Sequence, residues 1–374
     1  MKICLFARNH PKYGVGGIGE FVYDLSQNLS GLGHEVHVIV SKYSENASNK
    51  MPVELMCGKV KYHFIEHPRF SSGLLFNFFY NIAAYKKARS LGKKIHFDVF
   101  NINSTLYGGL FLLLSRGNFK KVLTIHTSLK EEAHYADSFI WKIYFFIASC
   151  FEKICISKSD GVLFVSKFLS KKTFPKKDSM KKSAVIYPGV NSKIFSKKST
   201  REKIPLFVFV GRLVKRKGII YLKEFAQNLK QINSEAKIRV FGQGPAQKEL
   251  SLISNIEIVG RVQRKDLALH FSKATALLFF SMDEGFGLVM LESMLCETPV
   301  IALNTGAVPE IISNKQNGII LGSNNMCRAA IIATELSQNK KILNSFGKKA
   351  REEIVKNFSW KESAKKTIDF YKSL

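Results

Sequence analysis

Two glutamates flank a glycine turn in residues 284–292, which read Glu-Gly-Phe-Gly-Leu-Val-Met-Leu-Glu and follow an apolar run predicted to be a strand. Gly285 and Gly287 let the backbone approach a ligand, and the helix predicted to begin here points unpaired N–H groups at any anion. Glu284 is expected to project from the loop, while Glu292 could accept a hydrogen bond from a hydroxyl beside a phosphate. The segment predicts a site for a phosphate that carries a sugar or a ribose. Two solvated glutamates around a plain turn are the structural alternative.

Two cations, Arg212 and Lys217, follow the first predicted strand in the second half of the chain, where another helix begins. When a nucleoside diphosphate leaves a sugar, its growing negative charge must be neutralised by a divalent metal or by cationic side chains. The sequence contains no Asp-x-Asp metal motif. We therefore expect these cations to replace a metal, with no metal site and no cofactor, although lysines at a helix start are otherwise typical of a solvated surface.

Residues 14–19, Gly-Val-Gly-Gly-Ile-Gly, match the G-x-G-x-x-G pattern of dinucleotide-binding dehydrogenases. Six residues, 8–13, separate this loop from the first predicted strand, and the second strand is not followed by an acidic residue that could bind a ribose. The spacing therefore disfavours a dehydrogenase. A glycine loop can also close over a diphosphate or admit an acceptor, and Gly16 and Gly17 are the expected contacts.

His126 ends a predicted apolar strand and is followed by the hydroxyl side chains of Thr127 and Ser128. We expect its imidazole to face the ligand cleft, where it could hydrogen-bond a sugar hydroxyl. A histidine satisfied by the backbone of its own loop is an equally good interpretation.

The elements that position these residues alternate between strands and helices, which is typical of parallel sheets that bind ligands beyond the carboxyl ends of their strands. A chain of 374 residues can bury two cores, and the pattern restarts near residue 200. The polar segment 191–203 is predicted to connect the halves. The sequence thus predicts an α/β protein with two Rossmann-like, doubly wound domains, 1–190 and 191–357, that face a central cleft. Strands are predicted at 2–7, 35–40, 97–102, 121–126, 161–166, 184–187, 205–211, 237–241, 256–260 and 274–281, and helices at 18–32, 218–231 and 246–254.

Charge and cysteine content narrow the range of partners. The chain has 57 Lys and Arg against 29 Asp and Glu, a net charge of +28, which attracts anionic lipids, phosphorylated substrates and nucleic acid alike. No recognition helix, RNP motif or Cys/His finger is present, so we do not expect a nucleic-acid partner. The six scattered cysteines lack C-x-x-C spacing and are interpreted as reduced, buried thiols of a cytoplasmic protein.

Two segments of the first domain favour contact with an anionic membrane surface. Residues 74–80 combine leucine and aromatic side chains and are followed by cations within 86–94, as in interfacial helices. Seven lysines within 167–182 would each add about 1 kcal/mol of attraction to anionic headgroups. The apolar stretch 139–156 is interrupted by charges and is predicted to be a helix that does not span a bilayer. We expect a cytoplasmic protein, peripheral on the cytoplasmic face of the plasma membrane; a core helix with a solvated lysine face is the alternative.

Taken in order along the chain, these residues make the sequence resemble family 4 of the glycosyltransferases, which are retaining enzymes of the GT-B fold and are also described as glycosyl transferases group 1. The resemblance extends over essentially the whole chain. Asn191 and Ala307 depart from the Asp and Gly that are frequent in the family. Besides the residues above, the resemblance rests on segments 165–166, 187–191, 211–218, 242–245, 298–302, 306–310, 317–318 and 358–360.

The resemblance implies hexosyl transfer from a nucleoside diphosphate sugar, a UDP-sugar being favoured over a GDP-sugar, to a glycan or lipid-linked acceptor. It places the enzyme in cell-surface polysaccharide, lipopolysaccharide or glycolipid synthesis, with retention by front-face attack and no divalent metal. It also implies that Glu284 and His126 lie beside the transferred sugar and that a final helix, 358–374, returns to the first domain. The donor-binding residues that it implies are Gly16, Gly17, Arg212, Lys217, Val262 beside the base, Glu292 at the ribose, and the backbone of Gly285, Phe286, Gly287, Leu288 and Val289 at the distal phosphate.

Two other functions are compatible with parts of the sequence. Nucleotide-sugar epimerases and sugar phosphorylases share the GT-B architecture, but the Gly-Phe-Gly-Leu loop between two glutamates favours transfer. A non-catalytic relative that binds polyanions would also be strongly basic. The presence of both glutamates and of both expected phosphate-binding cations favours an enzyme.

Overall fold

The computed structural model describes residues 1–13, 16–42, 52–68, 73–136, 138–174, 182–322 and 324–374. The chain folds into two compact units. Residues 1–189 and 360–374 form unit 1, and residues 190–359 form unit 2. Both are α/β units built on a mainly parallel sheet.

Eight strands of the described residues form the sheet of unit 1, in the order β3-β4-β2-β1-β5-β6-β7-β8. Buried apolar side chains fill the central strands, as expected where helices cover both faces of a parallel sheet. The strands are β1 (Lys2–Phe6), β2 (Glu35–Ser41), β3 (Glu54–Cys57), β4 (Val60–Ile65), β5 (Val99–Ile102), β6 (Lys120–Ile125), β7 (Gly161–Phe164) and β8 (Ser183–Val185).

One edge of this otherwise parallel sheet is antiparallel. Strands β3 and β4 pair antiparallel, joined by a tight turn in which Gly58 has a φ of 61°, a left-handed conformation that favours glycine. The sequence pattern missed both strands because β4 is interrupted by Lys61 and His63. His63 is nevertheless buried, with its Nε2 2.8 Å from His37 Nδ1 on β2.

The helices of unit 1 include two long ones, α2 and α5. Among the described residues no helix is long and apolar enough to cross a membrane. The α-helices within residues 1–189 are α1 (Gly17–Gly31), α2 (Gly73–Lys94), α3 (Gly109–Leu114), α4 (Leu129–His134), α5 (Phe139–Lys158) and α6 (Lys167–Thr173).

Six described strands form the parallel sheet of unit 2, in the order β11-β10-β9-β12-β13-β14. Phe207, Phe225 and Phe280 lie in its core. The strands are β9 (Leu206–Val210), β10 (Lys237–Phe241), β11 (Ile256–Gly260), β12 (Ala276–Phe279), β13 (Val300–Leu303) and β14 (Gly318–Leu321), and the helices are α7 (Ile219–Ile232), α8 (Gln247–Ser251), α9 (Arg264–Lys273), α10 (Leu288–Leu295), α11 (Val308–Ile311), α12 (Met326–Gln338) and α13 (Lys340–Asn357).

The segment that begins unit 2 and the helix that follows unit 2 belong to different units. Residues 191–203, predicted to be a connection, belong to unit 2, where Phe195 is fully buried with its ring centroid 6.3 Å from that of Phe271. The last helix, α14 (Trp360–Lys372), belongs to unit 1. Its Tyr371 hydroxyl accepts a hydrogen bond from Asn101 Nδ2 at 2.5 Å.

The expectation that all cysteines are buried is wrong for three of them. Cys4, Cys155 and Cys296 are buried, but Cys57 is half-buried on the edge strand β3, and Cys150 and Cys327 are exposed on the outer faces of α5 and α12. Cysteine is only weakly polar, so an apolar sequence context does not show which side of a helix it occupies.

Candidate functional site

The loops after β9 and β12 are joined by an ion pair between Lys217 and Glu284. The Lys217 ammonium donates to Glu284 Oε2, and the hydroxyl of Ser281 lies 3.3 Å from the same oxygen. The two strands are neighbours in the sheet, so their carboxyl ends bring the loops together. The Glu284 carboxylate is thus held by the cation that was expected at the phosphate.

Two glycines allow the backbone to reach this arrangement. Gly218, at the start of α7, has a φ of 76°, and a Cβ there would lie 1.9 Å from the carbonyl oxygen of Phe280. Gly306 has a φ of 55°, and a Cβ there would lie 2.2 Å from the carbonyl oxygen of Glu284. Close backbone contact on both sides thus fixes the Glu284 loop.

Glu284 carries a negative charge at neutral pH. Burial raises the pKa of its carboxyl, but the positive charges of Lys217 and Arg216 outweigh burial, and the pKa lies below its ordinary value. The carboxylate is thus available as a hydrogen-bond acceptor. It would not act as a general acid at neutral pH.

Arg216 is a residue of this site that the sequence analysis did not single out. Its guanidinium is buried and donates from Nη1 to the carbonyl oxygen of Asp283 at 3.0 Å. Its own carbonyl oxygen accepts from the Met282 N–H at 2.9 Å. Arg216 therefore stabilises the 281–284 loop through these hydrogen bonds and adds positive charge near Glu284. A buried arginine could not be distinguished by pattern from the solvated cations beside it.

The predicted anion site at the start of α10 has the expected local structure. Gly287 caps the helix with a φ of 92°, and Gly285 is buried in the turn before it. Phe286 is also buried, with its ring centroid 5.8 Å from that of Phe358. Leu288 and Val289 form the first turn of the helix, so their backbone N–H groups lie where an anion could accept from them.

Arg212 lies in the loop between β9 and α7 and is exposed. Within the described part of the chain, no hydrogen bond or ion pair involves its side chain. It differs in this respect from Lys217, which is paired with Glu284. Of the two cations expected at the phosphates, only Lys217 thus has a side-chain partner among the described residues.

Glu292 is buried on α10 and forms an ion pair with Arg264 at the start of α9, with Arg264 Nε 2.7 Å from Glu292 Oε1. The Arg264 guanidinium lies 5.3 Å from the centre of the Phe195 ring. Val262, expected beside a base, is half-buried two residues before α9. Arg264, which pairs with the carboxylate expected at a ribose, was not predicted as a site residue.

In unit 1, His126 follows β6 and packs edge-on against Phe21 of α1, with 4.5 Å between ring centroids. Its Nε2 lies 3.1 Å from Asn103 Oδ1 after the neighbouring strand β5. Burial lowers the pKa of His126 to about 3, so the imidazole is neutral at physiological pH. Since Asn103 Oδ1 can only accept, the imidazole proton lies on Nε2, and Nδ1 presents a lone pair.

Gly16 and Gly17 begin α1, and a Cβ added to Gly17 would meet no atom within 4 Å. The tight position is Gly19 instead, where a Cβ would lie 2.8 Å from the carbonyl oxygen of Asn9. The first two residues of the glycine motif, 14 and 15, lie outside the described residues. The glycine that the fold requires is thus the last one of the motif.

Of the two segments expected at a membrane surface, the first is described throughout and the second only in part. On α2, Phe76 and Tyr80 are buried, whereas Leu75 and Phe78 are exposed. In the lysine-rich segment, residues 167–173 form α6, and the lysines at 176, 177 and 181 lie outside the described residues. Among the residues that can be placed, no three His, Cys, Asp or Glu side chains form a group that could hold a metal ion.

Comparison with known proteins identifies the family. Residues 15–193 match Glycosyltransferase Family 4, and residues 190–353 match Glycosyl transferases group 1. An uncharacterised glycosyltransferase of Methanocaldococcus jannaschii is 26% identical over 384 residues, which cover 100% of this chain and 99% of that protein.

Two solved structures share the whole fold. Sucrose-phosphate synthase of Thermosynechococcus elongatus has a TM-score of 0.84 at 20% identity and covers 100% of this chain and 98% of that one. HepE of Anabaena, in complex with UDP and glucose, has a TM-score of 0.72 at 16% identity and covers 100% of both chains. The chain therefore has the GT-B fold, belongs to glycosyltransferase family 4, group 1, and is a glycosyltransferase.

Proposed function

We propose that this enzyme transfers a hexosyl group from a nucleoside diphosphate sugar, with retention of configuration and without a divalent metal. The observation that carries the proposal is the ion pair between Lys217 and Glu284, with Arg216 behind it. A cation that can neutralise a phosphate and a carboxylate that can orient sugar hydroxyls lie side by side, next to the start of α10. This combination fits a phosphate bonded to a sugar.

Donor binding would exchange the partners of this pair. A phosphate oxygen of the donor takes the Lys217 ammonium, and Glu284 then accepts hydrogen bonds from hydroxyls of the sugar. Exposed Arg212 adds a second cation at the diphosphate. The positive charge of these side chains stabilises the leaving phosphate, which is the role that a metal has in other transferases.

Retention follows from front-face attack. The acceptor hydroxyl attacks the anomeric carbon on the face from which the diphosphate departs, so the old C–O bond breaks and the new one forms on the same side. The proton of the acceptor hydroxyl passes to an oxygen of the leaving phosphate. Neutral His126 accepts a hydrogen bond from a sugar hydroxyl at Nδ1, and Glu284 remains a hydrogen-bond acceptor throughout.

The donor and acceptor are proposed more broadly. A UDP-sugar is favoured over a GDP-sugar, since HepE, which shares the fold, was solved with UDP and glucose. The acceptor is a glycan or a lipid-linked sugar of cell-surface polysaccharide, lipopolysaccharide or glycolipid synthesis. The net charge of +28 supports a peripheral position on the anionic cytoplasmic face of the plasma membrane.

A donor screen tests the proposal. UDP-, GDP- and ADP-sugars are compared in EDTA by thermal stabilisation and by nucleotide release, with the wild type and Glu284→Gln. We expect one donor class to stabilise the wild type and to turn over, and Glu284→Gln to lose at least about tenfold in turnover. Proton NMR of the product then gives its anomeric configuration.

Glu257→Gln is the matched control, because Glu257 is an exposed glutamate paired with Arg239 Nε at 2.9 Å on the same unit. It should turn over like the wild type. Turnover only with added divalent metal, an inverted product, or equal losses in the two glutamine variants would contradict the proposal.

A further inference from the structure

Helix α5 exposes an apolar face. Phe139, Ile140, Ile143, Phe146, Ile147 and Ile154 form what we call the α5 stripe, and their exposure runs from 44% for Ile143 to 76% for Phe139. At 100° per residue their positions fall within about 120° of one another around the helix axis, which places them on one side of the helix. A continuous row of large exposed apolar side chains marks a surface that contacts another apolar phase.

Positive charge borders the stripe. Lys142, Lys153 and Lys158 lie on the same helix and are exposed. The one acidic residue of α5, Glu152, is half-buried away from the stripe. Burial raises the pKa of Glu152 to about 8, so at neutral pH it adds little negative charge. The helix therefore presents apolar side chains and cations to the outside.

An open groove of about 650 Å³ lies between α4 and α5 along this stripe. Ile143 and Phe146 of the stripe form part of its wall, and Lys130 and Lys142 are its cations. Glu131 also lines the groove, but its carboxylate forms an ion pair with Lys172 at 2.8 Å. The groove thus combines an apolar wall with two cations, as an anionic lipid headgroup and its acyl chain require.

The groove is connected through one short loop to His126, the residue proposed to contact the sugar. Helix α4 begins at Leu129, three residues after His126, so one short loop carries both the imidazole and one side of the groove. A lipid bound in the groove would therefore bring a sugar on its headgroup close to the strand end that carries His126.

We propose that the α5 stripe, with the groove between α4 and α5, docks unit 1 on the surface of an anionic phospholipid bilayer. The apolar side chains enter the interfacial layer, and Lys130 and Lys142 contact lipid phosphates. A second copy of the chain fits less well, because self-association through this face would bring the bordering lysines and two chains of charge +28 together. The docking would also bring the proposed lipid-linked acceptor close to the strand end that carries His126. Only this consequence, and not the docking itself, rests on the proposed function.

The stripe lies on a segment that was expected only to be a non-spanning helix, and α2 and the lysine-rich segment were the expected membrane contacts. Helix α2 does adjoin α5, since Asn77 Nδ2 donates to the Tyr144 hydroxyl at 2.8 Å. Two of its aromatic side chains, Phe76 and Tyr80, are nevertheless buried. The structure therefore assigns the larger apolar contact to α5.

Vesicle flotation tests the docking with the full-length chain. Vesicles of phosphatidylcholine alone are compared with vesicles that also contain phosphatidylglycerol, and Phe146→Glu/Ile147→Glu is compared with the wild type. We expect the wild type to float with the anionic vesicles. The partition coefficient of the double variant onto these vesicles should be lower by about tenfold or more, because two apolar side chains no longer enter the interface. Ile342→Glu/Val355→Glu, on exposed positions of α13 in unit 2, adds the same charge elsewhere and should float like the wild type.

Tryptophan fluorescence locates the contact. The chain has two tryptophans; Trp360 is buried, and Trp141 lies on the side of α5 away from the stripe, where its ring stacks on that of Phe145. In a Trp141→Phe/Trp360→Phe background, lipids brominated on the acyl chain should quench a tryptophan introduced on the stripe by Phe146→Trp. Absence of flotation, equal flotation of the stripe variant, equal loss in the α13 variant, or no quenching of bound protein would each overturn the docking.

Two further measurements distinguish membrane docking from the proposed transferase function and from dimer formation. Stabilisation by the nucleotide donor should be unchanged in the stripe variant, so a failed donor screen with intact flotation would contradict the proposed function and leave the docking standing. Light scattering after size exclusion reports the oligomeric state. A dimer that the stripe variant converts to monomers, without vesicle binding by the wild type, would show a subunit interface and overturn the docking.

Discussion

The Nε2–H of His126 donates a hydrogen bond to Asn103 Oδ1 over 3.1 Å and thereby links the carboxyl ends of two neighbouring strands, β5 and β6. The amide fixes the tautomer of the histidine. Asn103 is fully buried, and its Nδ2 has no hydrogen-bond partner among the described residues. The pair therefore offers an acceptor, His126 Nδ1, and a buried donor, Asn103 Nδ2, at one strand end.

Asn103→Asp should change the pH dependence of catalysis. A carboxylate next to the imidazole favours its charged form and raises the pKa of His126 from its low value. Nδ1 would then be protonated at the acid end of the assay range and could no longer accept from a sugar hydroxyl. We expect kcat to fall as the pH drops between about 8 and 5 in this variant, where the wild type is flat.

Asn103→Ala is the companion variant, because it removes the hydrogen bond without adding charge. It should lower kcat at every pH, with no new acid limb. Superimposable pH profiles of the wild type and Asn103→Asp would show that the amide does not control the protonation of His126.

Lys217→Ala should strongly reduce catalysis, because it removes the cation proposed to neutralise the leaving phosphate. Loss of one such group costs about 10²–10³ in kcat. Lys217→Arg keeps the charge and should recover part of the rate. Steady-state nucleotide release, with donor affinity measured separately, distinguishes an effect on kcat from one on binding.

The control for this prediction is Lys223→Ala. Lys223 lies on α7 and is paired with Glu249 on the surface of the same unit, so its removal should leave kcat unchanged. A Lys217→Ala variant with wild-type kcat and weakened donor affinity would assign Lys217 to ground-state binding alone.

How far the sequence predicts this site can be judged from Lys217 and Glu284. Each lies between a buried strand and an α-helix, as the pattern predicts, because short apolar runs and glycines mark those boundaries locally. Their ion pair could not be predicted, since β9 and β12 are neighbours only through the sheet order, with β10 and β11 between them in the chain. The local pattern carries no information on that order.

The burial of individual side chains also cannot be predicted from the local sequence pattern. The apolar residues of the α5 stripe favour burial and arginine favours exposure, yet the stripe is exposed and Arg216 is buried. Only the packing of the whole unit determines these exposures. The same holds for Glu292, whose partner Arg264 lies on a helix 28 residues away in sequence. Element types follow from local pattern, whereas pairings between elements follow from the tertiary fold.

Gly306→Ala should damage the Glu284 loop. Gly306 has a φ of 55°, and an added Cβ would lie 2.2 Å from the carbonyl oxygen of Glu284, so the loop must move. We expect a loss of more than about 1 kcal/mol in the free energy of unfolding and a reduced turnover. Denaturant titration and nucleotide release measure the two effects. Gly31→Ala is the control, because a Cβ at that position meets no atom within 4 Å; an equal loss there would rule out the clash as the cause.

The stability of unit 1 should depend on pH through buried histidines. His63 lies between His37 Nδ1 and Glu54 Oε1, each 2.8 Å away. Burial, followed by the nearby charges of Lys87 and His37, lowers its pKa to about 4, although Glu54 acts in the opposite direction. A histidine whose pKa is lowered on folding binds protons more readily when unfolded. Its stabilising contribution is therefore complete above about pH 6.5 and is lost as the pH falls towards 4.

We accordingly expect the urea midpoint to fall between about pH 6.5 and 4.5, and the fall to be shallower in His63→Gln than in the wild type. His10, also buried, has its pKa lowered to about 4 by burial and by Lys12 and contributes with the same sign, so the slope should decrease without vanishing. His96→Gln, at an exposed position, should leave the slope unchanged. A steeper acid limb in His63→Gln would mean that the imidazolium, held between His37 and Glu54, stabilises the fold, and the sign of the linkage would be reversed.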